Sequence, residues 1–316
     1  DLLEKQSYPC QCIWQERASY ESFPNEIKIN DNTNLKAMLV TLSEILKDAN
    51  ERHYAVGAFN YLSLENVMGA LEAAEELRSP IILQLAEVQF PEAPMEMMAP
   101  LYLEAAKRSS VPVCVHLDHG QSLETCVRAI RLGFTSVMFD GAALPFQDNV
   151  AMSGEVTRIA KAAGVDVEAE LGKVGNSGVD TADVFTDVEE SVRFVNATGI
   201  DALAIAIGNL HGHYVHTPQL NIARLIEIHE ANRLPLVLHG GSGTSVEDFK
   251  SCIHNGICKI NVATAIQRGI MKRINERLSK KPDEDYISLK QLMIDASREV
   301  VSEHIILFES DNKLSI

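Results

Sequence analysis

The feature that most constrains this chain is an alternation of short apolar runs with amphipathic ones, repeated eight times between residues 55 and 308. The apolar runs lie at 55–60, 81–85, 113–117, 136–139, 165–171, 202–207, 236–239 and 258–262. Runs with so few polar positions need cover on both faces, which a parallel sheet flanked by helices provides. Helical periodicity fills the gaps at 63–77, 95–109, 123–132, 148–163, 188–197, 222–231 and 246–255, and continues at 265–278 and 289–308. An earlier helical pattern, carried by Leu39, Leu42, Ile45 and Leu46, precedes the first run. Eight β–α units favour a closed (β/α)8 barrel, the TIM barrel, over an open doubly wound sheet. The 316 residues suit one such domain. The expected organisation is an N-terminal extension over 1–34, of mixed polarity, and a barrel over 35–316 with an extra C-terminal helix.

In a barrel the C-terminal ends of all strands meet on one face, so residues far apart in sequence converge there. Those ends carry Asn60, Glu87, Asp118 and His119, Asp140, Glu168 and Glu170, then Asn209 to Gly212, His239 to Gly243, and Asn261 to Thr264. In the third run, Val113-Cys114-Val115-His116-Leu117-Asp118-His119-Gly120, strand alternation puts His116 and Asp118 on one face. His119 sits where the strand gives way to a loop, and His116 could orient Asp118. Three histidines, His119, His211 and His239, stand at the ends of three strands. Three imidazoles leave an open coordination position, the arrangement a catalytic zinc or similar divalent ion requires. The remaining histidines, such as His229, His254 and His304 within helices, read as structural or surface residues.

His239-Gly240-Gly241-Ser242-Gly243 follows an apolar strand and precedes a helix expected to open at Thr244 or Ser245. A glycine-rich turn there lets backbone N–H groups converge on an anion beside a helix N-terminus. Placed after strand seven, with Asn261-Val262-Ala263-Thr264 after strand eight, it matches the usual barrel phosphate site. Gly212 would let backbone approach the same ligand.

The formal charge of −16 argues against nucleic acid or a membrane surface as partner, since both demand a basic face. It leaves an anionic substrate open, because one phosphate needs only a local nest of N–H groups. No apolar run approaches the ~20 residues of a transmembrane helix. The first residues lack the basic and apolar regions of a secretory leader, so a cytoplasmic location is expected. Six cysteines in a chain this long do not make a disulfide framework, and Cys10-Gln11-Cys12 alone is a weak metal motif. Free thiols in a reducing compartment are expected.

Taken together these residues resemble the class II, metal-dependent ketose-bisphosphate aldolases, the group of fructose- and tagatose-bisphosphate aldolases. The resemblance rests on Gly57-Ala58-Phe59-Asn60, His116-Leu117-Asp118-His119, Phe139-Asp140-Gly141 and Val167-Glu168-Ala169-Glu170-Leu171-Gly172. It continues through Ala206-Ile207-Gly208 to His211-Gly212, then Leu238 to Gly243 and Lys259-Ile260-Asn261-Val262-Ala263-Thr264. The pieces occur in family order from about Leu35 to the end of the chain. The resemblance implies that His119, His211 and His239 bind zinc or another divalent ion, with Glu170 as a supporting or alternative ligand. It implies that Asp118 handles the proton of the C4 hydroxyl. Asn60, Gly212, Gly240, Gly241, Ser242, Asn261, Val262, Ala263 and Thr264 would then hold the dihydroxyacetone phosphate part of a small phosphorylated sugar. A monovalent cation is a further cofactor implied, and a homo-oligomer is expected with the C-terminal helices at its interface.

The chemistry fits the residues. Splitting a ketose between C3 and C4 leaves an enediolate that needs an electrophile, and zinc acting as a Lewis acid removes the need for a Schiff-base lysine. Two positions depart from the family pattern. The loop after Gly172 is shortened, with Asp180 or Asp183 as replacement acids or as plain solvated ones. The C-terminal arginine expected for a distal phosphate is replaced by Lys290, with Arg268 as a second candidate. A reversible aldolase is the leading reading. A zinc-dependent sugar-phosphate isomerase or epimerase, and a non-catalytic sugar-phosphate-binding barrel, are the alternatives.

Overall fold

In the computed structural model the described residues are 38–172, 174–176, 185–212 and 219–314. The expected extension over 1–34, Asp180, Asp183, His213 and His216 lie outside them. A leading strand, Leu39–Val40, is followed by α1, Leu42–Arg52. Strands β1 Val56–Asn60, β2 Ile81–Ala86, β3 Val113–Gly120 and β4 Ser136–Phe139 alternate with α2 Leu64–Glu76, α3 Met95–Arg108 and α4 Leu123–Leu132. After α5, Phe146–Ala162, come β5 Asp166–Leu171, α6 Val188–Thr198, β6 Ala202–Ile205 and α7 Ile222–Asn232. The chain ends through β7 Leu236–Leu238, α8 Val246–His254, β8 Ile257–Val262, α9 Thr264–Lys280 and α10 Tyr286–Leu307.

Each strand from β1 to β8 pairs in parallel with its sequence neighbours, and β8 returns to β1 with Asn261 opposite Ala58. The sheet is therefore a closed eight-stranded barrel, as the alternation predicts. Leu39, expected within a helix, instead pairs with Val113 at the foot of β3. The helix begins after it because Thr41 and Glu44 form a reciprocal capping box that fixes the start at Leu42.

Two apolar layers follow from the period-2 alternation of the strands. Outward-facing residues such as Leu83, Val115, Leu117, Leu203 and Leu238 pack under the helices. Inward-facing Ala58, Ile82, Cys114, Met138, Ala204 and Val237 cluster with Leu42, Ile45, Leu46 and Ala49, so α1 plugs one end of the barrel. The other end holds the polar inward positions. The helix α10 lies along α2, where Gly69 permits the approach: a Cβ there would meet the Ile294 carbonyl oxygen at 2.2 Å. Cys114, Cys126, Cys252 and Cys258 are buried free thiols. Among the described residues no helix is long and apolar enough to cross a membrane.

Leu46 is fully buried in the plug. Leu46→Ala should therefore destabilise the protein by about 2–5 kcal/mol, read from the urea unfolding midpoint, without altering the polar end of the barrel.

Candidate active site

The polar end of the barrel is built on inward positions one or two residues above the apolar layer. Asn60 ends β1, Gln84 lies on β2, His116 and Asp118 on β3, Glu168 and Glu170 on β5, and Lys259 and Asn261 on β8. His239 follows β7 directly. The β3–β4 register shifts between Leu117 and Gly120, and His119 in that irregular stretch has φ +46°. A left-handed backbone there is unusual for a residue with a Cβ. It breaks the alternation, so Asp118 and His119, adjacent in sequence, both reach the interior. The strand expected to end at Leu117 accordingly runs on to Gly120.

Asp118 accepts hydrogen bonds on both oxygens, from Asn60 Nδ2 at 2.8 Å and Asn261 Nδ2 at 2.9 Å. Asn60 is itself held by Gln84 Nε2 at 2.9 Å. His119 Nδ1 lies 2.7 Å from Asp140 Oδ2, and its Nε2 lies 2.8 Å from His239 Nδ1. The second nitrogen of His239, Nε2, lies 2.8 Å from Glu168 Oε1. Each histidine thus has one nitrogen on a carboxylate and turns the other toward the centre, the way outer carboxylates orient metal-ligating imidazoles. His116 does not contact Asp118; its Nδ1 meets Ser136 Oγ at 2.8 Å and its Nε2 lies 3.6 Å from Glu168.

Burial would raise the pKa of Asp118, but His119, His239, Lys259 and the Asn60 hydrogen bond hold it below the usual carboxylate value. For His119, burial opposes the charge, yet Asp118, Asp140 and Glu170 outweigh it and push the pKa up to about 10. Burial pushes Glu170 up to about 8, with the charge of Asp140 acting in the same direction. Burial, reinforced by Lys259, keeps His116 well below the usual histidine value.

The donor set suits a divalent ion. Atoms of Asp118, His119 and His239 lie within 4.8 Å of one another, as do those of His119, Asp140 and Glu170. Glu170 Oε2 is buried with no hydrogen-bond partner and lies 3.8 Å from His239 Nδ1. Imidazole nitrogens beside carboxylates are borderline ligands of the kind zinc and its neighbours accept.

A cavity of about 450 Å³ opens on this centre. Of the expected residues, Asn60, Asp118, His119, Glu170, Gly212, Gly240, Ser242, Asn261, Ala263 and Thr264 line it. Gly241 and Val262 lie behind that wall. Gly240 and Gly212 take positive φ, +71° and +91°, as a turn presenting backbone to a ligand requires. The helix after the glycine-rich turn opens at Val246 with Ser245 as its cap. By contrast α9 starts at Thr264 with no side-chain cap, and its Ala265 N–H donates to Ser242 Oγ at 3.2 Å. His211 lies in a two-residue strand, Leu210–His211, paired with Gly175–Asn176, and its side chain lies outside what is described. Arg268 is exposed on α9 and lines a different, shallow pocket with Lys272 and Asn275. Lys290 is ion-paired with Glu65.

The family model for class II fructose-bisphosphate aldolase matches residues 40–313. The chain belongs to that family. A probable fructose-bisphosphate aldolase of Bacillus subtilis is 42% identical over 275 residues, covering 85% of this chain and 95% of that one. A sulfofructosephosphate aldolase of Alkalicoccus urumqiensis is 38% identical over 279 residues, covering 85% and 96% respectively. The crystal structure of the YdjI aldolase from Escherichia coli K12 superposes with a TM-score of 0.81 at 35% identity, covering 88% of this chain and all of that one. The protein is thus a class II aldolase, a lyase of a generally metal-dependent family acting on small phosphorylated sugars.

Sequence reasoning quoted Asp140, Glu168 and Lys259 within strand ends or family motifs without giving them a role, and missed Gln84. The available signal was alternation: Lys259 shares the inward phase of Asn261, and Gln84 that of Ala86.

In the metal-free aldolase, His119 and Glu170 both carry folded-state pKa values above their ordinary ones. Each therefore contributes stability that is complete below its unfolded pKa and is lost as pH rises to the folded value. Thermal midpoints in EDTA should fall between about pH 6.5 and 8, above the range in which His116, held below its ordinary value, adds stability as pH rises. Glu170→Gln should flatten that slope; an unchanged slope would remove Glu170 as its source.

Proposed function

We propose that this aldolase reversibly cleaves a phosphorylated ketose, of the fructose or tagatose 1,6-bisphosphate type, to dihydroxyacetone phosphate and an aldehyde. The observation that carries the reading is the convergence of Asp118 with the inward nitrogens of His119 and His239 in a cavity walled on one side by a glycine-rich turn and an uncapped helix start.

Asp118 is the acid/base. Its depressed pKa leaves it ionised at neutral pH, and with one hydrogen bond on each oxygen it retains lone pairs for a substrate hydroxyl. It takes the C4 hydroxyl proton in cleavage and returns it to the aldehyde oxygen in condensation. His119 and His239 would hold a divalent ion, with His211 as the third imidazole and Glu170 as a supporting or alternative ligand. Zinc fits this donor set, and it would supply Lewis-acid polarisation of the ketose carbonyl and hydroxyl oxygens. Gly212, Gly240, Gly241, Ser242 and the segment from Asn261 to Thr264 bind the phosphate of the dihydroxyacetone half through backbone N–H groups and the α9 N-terminus. Asn60 lines the same cavity, as a substrate-binding residue would, and holds Asp118 Oδ2. Exposed Met271, Tyr286 and Ile287 on α9 and α10 support a homo-oligomer joined through the C-terminal helices. The buried free thiols of Cys114, Cys126, Cys252 and Cys258 support a cytoplasmic location.

The test is release of dihydroxyacetone phosphate from a panel of phosphorylated ketoses, including sulfofructose phosphate, with EDTA and with added Zn2+. Activity on one ketose that EDTA abolishes and Zn2+ restores is expected, whereas silence across the panel with Zn2+ bound would overturn the reading. Asp118→Asn should lower kcat about 10²–10⁴-fold while leaving the fold intact by circular dichroism.

A further inference from the structure

Lys259 is the one Lys or Arg side chain buried among the described residues, and it is fully buried on the inward face of β8. Its Nζ lies 2.8 Å from Glu168 Oε2 as an ion pair, at an angle that does not make a hydrogen bond. The same Nζ donates to Asn261 Oδ1 at 2.7 Å. An ammonium can only donate, so the Asn261 amide has a fixed sense: Oδ1 faces Lys259 and Nδ2 donates to Asp118 Oδ1 at 2.9 Å. On the other side, Glu168 is the buried counter-charge whose Oε1 lies 2.8 Å from His239 Nε2. An ionised carboxylate can only accept, so the proton of His239 resides on Nε2, the 3.4 Å approach of Asn261 Nδ2 to that nitrogen is a contact and not a hydrogen bond, and Nδ1 is left facing His119.

We propose that Lys259 is a positioning residue that couples the two halves of the site. Through Asn261 it aims the carboxylate that handles the substrate proton. Through Glu168 it sets which nitrogen of His239 is turned to the metal. Neither effect requires Lys259 to touch substrate. Without the ammonium, the Asn261 amide loses the partner that defines its orientation, and a flipped amide would set its oxygen against Asp118. Glu168 would also stand in the barrel core without a counter-charge. This inference rests on the assignment of Asp118 and His239 made under the proposed function.

The variant that removes both contacts at nearly constant volume is Lys259→Met. Zn2+ titrated into the metal-free protein measures the metal arm, and kcat and KM of the Zn2+-saturated enzyme measure the proton arm. The expected result is a Zn2+ dissociation constant raised about 10–100-fold. It is accompanied by a kcat lowered at least about tenfold with KM within about threefold, the mark of an interaction expressed in the transition state. A folded Lys259→Met enzyme with both readouts unchanged, or with only one of them changed, would overturn the coupling. Should that variant not fold, Lys259→Met combined with Glu168→Gln removes the stranded charge, and its two readouts are compared with those of Glu168→Gln alone, so that only the further change is assigned to Lys259. If neither folds, Lys259 is a structural residue and the proposal fails. The unaltered enzyme is the control: no cleavage of any ketose by it condemns the aldolase reading, while normal cleavage by both enzymes condemns only this inference.

Discussion

Charge buried inside a closed barrel is the constraint on which the rest depends. Asp118, Glu168 and Glu170 lie on inward positions, each 4% exposed or less, where solvent cannot screen them. Three carboxylates so placed need counter-charge or protons. The protein meets the need unevenly. Glu168 has Lys259, and Asp118 has two amides and the neighbouring imidazoles. Glu170 accepts one hydrogen bond, from the Val174 N–H, and its Oε2 has none, with His239 Nδ1 standing 3.8 Å away, and burial drives its pKa up to about 8. The incompletely satisfied group is the one standing beside the inward nitrogens of the histidines. A divalent cation would satisfy it and displace the proton of His119 at the same time.

The barrel separates this stress from its stability. Alternation of inward residues along each strand puts apolar side chains toward α1 and polar ones toward the open end. On β1 the order is Val56, Ala58, Asn60, and on β3 Cys114, His116, Asp118. Leu42, Ile45 and Leu46 close the apolar end. The charged layer is therefore held by parallel pairing that does not rely on its own interactions. Such a division lets an unfavourable electrostatic arrangement persist where the chemistry needs it.

This division also explains how much was legible in the sequence. The eight strands and the closed barrel followed from apolar runs whose length and composition leave no exposed face. Asp118, His119, His239, Asn60 and Asn261 were legible because polar residues ending apolar strands stand out. Lys259 was not, because a lysine inside an apolar run reads as an interruption until the register shows that it points inward toward Glu168. The extension of β3 to Gly120 was hidden as well. It depends on a left-handed histidine, and nothing in residue type announces a positive φ at His119. The role of His116 was misplaced for a related reason: sharing a face with Asp118 does not bring it near, and the fully buried ring turns to Ser136 instead.

The net charge of −16 makes an anionic substrate a harder problem than the site alone suggests. Long-range repulsion is damped over about 8 Å at physiological ionic strength, so the remaining barrier is local. Among the described residues the cavity wall on the β7–β8 side carries no lysine or arginine; under the proposed reading an α9 start with no side-chain cap and a glycine turn of positive φ would meet the anion instead. Backbone N–H groups carry partial charge fixed in direction, whereas a flexible cation beside Asp118, Asp140 and Glu170 would collapse onto those carboxylates. Under the proposed reading, a phosphate held by backbone would leave the acids free to face a divalent ion and the reacting hydroxyl. The acidity of the centre and the neutrality of the facing wall, among the described residues, are thus two sides of one arrangement.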